Sequence, residues 1–92
     1  MRYFIVDDDR ASRVMLTQII ENGGLGTVIG EAENGEEAIP KIIMTQPEFV
    51  LIDLLMPKLD GVATVEQLKQ QRFEGQFIMI SQVVNKEMVG EA

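Results

Sequence analysis

The segment EFVLIDLLMPKLDG, residues 48–61, decides the fold. From Phe49 to Leu55 it is apolar except for Asp53. An apolar run with no alternation suits a strand buried on both faces, which is the habit of parallel sheets. The turn-forming MPKLDG then ends the strand and leads to a helix. A parallel strand needs a crossover, so the flanking sequence should alternate helix and strand.

It does alternate. Upstream, YFIVD at 3–7 is a short apolar run that ends in charge. Val14, Met15, Leu16, Ile19 and Ile20 recur at helical spacing within 10–22, with Asp9 as N-cap and ENGG at 21–24 as the stop. A strand is expected at 27–32, TVIGEA. A second helix opens at ENGEEA, with Asn34 as cap and two glutamates placed favourably near its positive end. Pro40 should kink or delay that helix, because it lacks an N–H. Downstream, 61–72 reads as a helix with Val62, Val65 and Leu68 facing inward. GQFIMIS at 75–81 reads as a fourth buried strand, and 83–92 begins another helix. The order β-α-β-α-β-α-β-α predicts an α/β fold, a doubly wound parallel sheet with helices on both sides. No repeat or linker divides the chain, so residues 1–92 form one small domain.

Composition narrows the function. The chain carries 8 basic and 15 acidic residues, net −7, with no cysteine and no histidine. Nucleic-acid contact by this segment is disfavoured, since phosphate backbones need a basic stripe. No stretch approaches the roughly 18 apolar residues of a membrane span, and charge in MRYFIVDDD excludes a signal-peptide core. A cytoplasmic location is the expectation. The six methionines are expected to be mostly core filler rather than a metal site, and Gly23, Gly24 and Gly26 are turn glycines.

Open parallel sheets bind ligands beyond the carboxyl ends of their strands. The first strand ends at Asp7 and Asp8, the third at Asp53, the fourth at Ser81. Neighbouring strands would bring three carboxylates and a hydroxyl to one edge. Two carboxylates about 5 Å apart repel by roughly 3 kcal/mol at an effective dielectric of 20. A proton or a cation must answer that charge. With oxygen donors alone, Mg²⁺ suits the site best, and it is compatible with phosphoryl transfer to a carboxylate. Taken singly, each aspartate could be a helix cap, and Ser81 a turn former.

FIVDDDR, VLIDLLMPKLDG and FIMIS together resemble the receiver domain of two-component response regulators. The resemblance runs from residue 3 to residue 92. It implies a flavodoxin-like sheet of order 2-1-3-4, with Asp53 as the phosphoacceptor for a sensor histidine kinase or phosphotransfer protein. Asp7 and Asp8 match the Mg²⁺ pair, and the Leu55 backbone carbonyl completes the metal site. Ser81 matches the switch hydroxyl, while Pro57 and Gly61 shape the loop. Such a domain is no enzyme in its own right; it switches an output, by default transcription, and can form a homodimer.

The chain departs from the pattern at its C-terminal side. The receiver lysine, followed by proline, has no match: no proline follows Pro57, Lys58 lies in the wrong loop, and Lys86 is only five residues past Ser81. A strand-helix unit of about 30 residues is missing, so residues 1–92 are expected to be a C-terminally incomplete receiver. Strand four would then be an open edge, and helix one would lose cover. Two alternatives stand. FIVDDD resembles the nucleophile motif of haloacid-dehalogenase-type phosphatases, using Asp7 and Asp9, although Ala11 stands where Thr or Val is expected. A degenerate receiver serving as a docking or dimerisation module is the other.

Overall fold

The computed structural model describes residues 1–53 and 60–80. The elements are β1 (Arg2–Val6), α1 (Arg10–Asn22), β2 (Thr27–Ala32), α2 (Gly35–Thr45), β3 (Phe49–Asp53), α3 (Gly61–Gln70) and β4 (Gln76–Ile80). All pairings are parallel, and the strand order is β2-β1-β3-β4. The expected helix at 83–92 lies outside the described residues.

Side chains alternate across β1 and β3 and so feed two cores. Phe4, Val6, Val50 and Ile52 pack with Ala38, Ile39 and Ile42 of α2 and Leu68 of α3. Tyr3, Ile5 and Leu51 pack on the other side with Ile20 of α1, flanked by Leu16. Both central strands are therefore buried on both faces, as their unbroken apolarity requires. Where β2 passes β1 it slips register between Tyr3 and Phe4, so Phe4 lies against Gly30. A Cβ on Gly30 would stand 2.7 Å from the Phe4 ring, so only glycine fits under that ring.

The helix caps follow the sequence. Asp9 accepts from the Ala11 N–H, and Asn34 accepts from the Glu37 N–H at 2.9 Å. Glu37 answers by accepting from the Asn34 side chain at 3.0 Å, which closes a reciprocal cap. Helix α2 starts at Gly35 and continues through Pro40, so the proline does not delay it. Pro40 is exposed, and water can reach the carbonyl that its missing N–H leaves unpaired.

Four details differ from the sequence expectation. In α3 Leu68 and the half-buried Val65 face the core as expected, with Gly61 and Thr64 buried beside them, whereas Val62 is 53% exposed. Thr64 can be buried because its hydroxyl donates to the Asp60 carbonyl at 2.8 Å. Helix α3 also ends at Gln70 rather than 72, because Arg72 turns left-handed and the Phe73 N–H reaches back to the Leu68 carbonyl. In α1 only Leu16 and Ile20 pack on the sheet, with Ser12 on the same line; Val14, Met15 and Ile19 stand at the surface. Strand β4 is half-exposed rather than buried, because among the described residues it pairs only with β3.

Candidate functional site

The order β2-β1-β3-β4 puts the carboxyl ends of β1 and β3 side by side. Val6 pairs with Ile52, and the next residue along each strand is an aspartate. Asp7 and Asp53 are buried, at 1% and 5% exposure, while Asp8 is exposed. Asp7, Asp8 and Asp53 each offer a carboxylate oxygen, and these oxygens lie within 4.8 Å of one another. Among the described residues this is the one group of three side chains that could hold a metal ion.

The Asp7 backbone is held from both sides. Its N–H donates to the Ala32 carbonyl of β2 at 3.1 Å. Its carbonyl accepts from Nη1 of Arg13 at 2.7 Å. Arg13 also pairs through Nε with Oε1 of Glu31 at 2.8 Å. The Asp7 carboxylate accepts the Asp9 N–H at 2.8 Å.

Burial pushes the Asp7 carboxyl above its ordinary value. The Asp9 N–H bond works the other way, and the charges of Asp53, Asp8 and Asp9 add to the rise. The site thus contains a carboxylate that water solvates poorly and that faces like charge. A hard cation with oxygen preference fits this donor set, because it replaces the lost hydration and cancels the repulsion. Softer metals would call for thiolate or imidazole, and this chain has neither cysteine nor histidine.

Asp9 belongs elsewhere. Its carboxylate accepts the Ala11 N–H at 3.2 Å and the Ser12 hydroxyl at 2.9 Å, so it serves the start of α1. That counts against an Asp7/Asp9 phosphatase pair. Gly61 is the buried first residue of α3, behind the N-cap Asp60. Leu55, Pro57 and Ser81 lie outside the described residues. Sequence reasoning passed over Arg13, although its place in the first turn after the acidic strand end was a usable signal.

Comparison with known proteins gives a consistent result. Residues 3–92 match the family described as response regulator receiver domain. The chain is 50% identical over 93 residues to the transcriptional regulatory protein GlnL of Bacillus subtilis (strain 168), covering all of this chain but 29% of that protein. It is 35% identical over 91 residues to the chemotaxis protein CheY of the same organism, covering 99% of this chain and 75% of that one. A chain in the crystal structure of the CheX–CheY–BeF₃–Mg²⁺ complex from Borrelia burgdorferi superposes with a TM-score of 0.83 at 32% identity, over 88% of this chain and 61% of that chain.

Proposed function

Because the chain belongs to the response regulator receiver domain family, we propose that Asp53 accepts a phosphoryl group from a histidine kinase or phosphotransfer protein, with Mg²⁺ held by Asp7, Asp8 and Asp53. The observation that carries this reading is the convergence of those three carboxylates at the ends of β1 and β3. The Mg²⁺-containing complex of a similar chain supports the choice of cation.

In the proposed reaction an Asp53 carboxylate oxygen attacks phosphorus. An O–P bond forms, the P–N bond to the donor histidine breaks, and the imidazole leaves with the electron pair. Asp53 ends β3, the strand between β1 and β4, and is in register with Ile80 of β4, so its backbone is positioned by the sheet. Bound Mg²⁺ would neutralise charge on the incoming phosphoryl oxygens. Asp7 and Asp8 would supply the carboxylates that keep it there. By resemblance, the Leu55 carbonyl completes that set, Ser81 donates to a phosphoryl oxygen, and Pro57 and Gly61 shape the intervening loop.

The domain is then a stoichiometric acceptor in a signalling relay. The phosphoryl group adds about −1.5 to −2 of charge at the strand ends. That charge biases a two-state surface, which an output reads. Similarity to a transcriptional regulatory protein makes transcription control the proposed output of the whole protein. No helix among the described residues is long and apolar enough to cross a membrane, and the proposal places the domain in the cytoplasm with its kinase.

The test is incubation with labelled acetyl phosphate and Mg²⁺, followed by mapping of the labelled aspartate. Label on Asp53, abolished in Asp53→Ala, is the expected result. Label on Asp7 would favour the phosphatase reading instead. No label on either would favour a docking module.

A further inference from the structure

We propose that Arg13 is a positioning residue for the acidic site. Its guanidinium fixes the peptide between Asp7 and Asp8, and so aims both carboxylates at one cation. The proposal rests on reading the Asp7–Asp8–Asp53 group as a cation site.

A peptide unit is planar, so fixing its carbonyl fixes the nitrogen and Cα that follow. Nη1 of Arg13 donates to the Asp7 carbonyl at 2.7 Å, and that peptide leads directly to Asp8. The Asp7 N–H is fixed by the Ala32 carbonyl and its carboxylate by the Asp9 N–H. The Arg13 bond acts on the peptide that leads into Asp8, and so bears on the Asp8 side of the pair. Asp8 is the exposed member of the triad, and the sheet does not bury it.

The anchor is itself held. Nε of Arg13 donates to Glu31 at 2.8 Å, and the Arg13 side chain is only 12% exposed. Glu31 lies on β2 opposite Ile5 of β1, two residues before Asp7. The Arg13 N–H donates to the Asp9 carbonyl at 3.1 Å, which sets the arginine in the first turn of α1. One planar group thus ties α1, β1 and β2 together beside the site. Lysine could not copy this, since a guanidinium presents two donors at a fixed angle. Pairing with Glu31 also cancels the charge, so the arginine does not repel a cation from the neighbouring carboxylates.

The informative variant is Arg13→Gln. The glutamine amide nitrogen takes the place of Nε and can keep Glu31, but the arm to the Asp7 carbonyl is lost. The full chain, labelled with ¹⁵N, is titrated with Mg²⁺ while amide spectra report both folding and binding. We expect Arg13→Gln to keep the wild-type spectrum away from the site, to move the Asp8 amide before any Mg²⁺ is added, and to bind Mg²⁺ about tenfold or more weakly. Arg13→Lys, which can still reach the carbonyl, should restore part of the affinity, to about threefold below wild type. A folded Arg13→Gln with affinity within about twofold of wild type overturns the proposal. If Arg13→Gln does not fold, Arg13→Lys decides: weakened binding supports the role, and wild-type affinity overturns it. Wild-type protein that shows no Mg²⁺ response overturns the cation-site reading, and the role of Arg13 falls with it.

Discussion

The N–H of Asp9 donates to Oδ1 of Asp7 at 2.8 Å, while the Asp9 carboxylate turns to the Ala11 N–H and the Ser12 hydroxyl. Three consecutive aspartates therefore do separate work. Asp7 is buried among like charges, Asp8 reaches the surface of the same site, and Asp9 starts a helix. Asp9→Ala should cost about 1 kcal/mol of stability, the usual value of a lost N-cap, while Asp9→Asn costs little. Because the Asp9 N–H survives both changes, Mg²⁺ affinity should stay near wild type. Urea denaturation checks the first statement and a Mg²⁺ titration the second; a large loss of affinity in both variants would place Asp9 among the ligands.

Asp7 makes stability depend on pH. Its folded carboxyl holds a proton more tightly than the ordinary value of 3.8 allows, chiefly through burial. A raised folded value gives a contribution fully present below the unfolded value and lost as pH rises through the folded one. At neutral pH, without Mg²⁺, the ionised Asp7 is therefore a cost. Asp7→Asn keeps an oxygen for the Asp9 N–H and removes that cost. Its urea midpoint should exceed wild type at pH near neutrality, and the difference should close in acid. A less stable Asp7→Asn at neutral pH would contradict the sign.

Mg²⁺ should stabilise the wild-type fold by mass action, about 2.7 kcal/mol at a hundredfold excess over the dissociation constant. Asp8 is exposed, so Asp8→Ala should change metal-free stability by only about 0.5 kcal/mol. The same variant should lose most of the Mg²⁺-induced rise in melting temperature. Thermal melts with and without Mg²⁺ separate the two effects, and an undiminished rise in Asp8→Ala would remove it from the ligand set.

The inward face of α3 can be tested by a pair of truncations. Leu68 is fully buried and Val62 is 53% exposed. Leu68→Ala should cost about 2–5 kcal/mol, through lost burial and a residual cavity. Val62→Ala should stay within about 0.5 kcal/mol of wild type, since a surface position makes few contacts to lose. Equal losses in chemical denaturation would mean that both valine and leucine face the core.

Much of this was legible in the sequence because the relevant physics is local. The two central strands show themselves in YFIV and FVLI, since burial on both faces leaves no room for alternation. The caps Asp9 and Asn34 could be read because a short side chain reaches only its own first turn. Family membership, and with it the strand order, rests on motifs whose order along the chain is itself the signal.

Tertiary structure decided what depends on distant neighbours. Helical spacing offers several apolar stripes on α1, but contact with β1 and β2 selects Leu16 and Ile20 and leaves Met15 and Ile19 outside. In α3 it selects Thr64 over Val62, because a hydroxyl bonded within its own helix is cheap to bury. The meeting of Asp7 with Asp53 depends on β1 and β3 being neighbours, which the sequence implies only through the family's strand order and which no local pattern encodes. The grip of Arg13 on the Asp7 carbonyl belongs to the same class: a long side chain can reach many partners, and only the packing of α1 on β1 and β2 chooses this one.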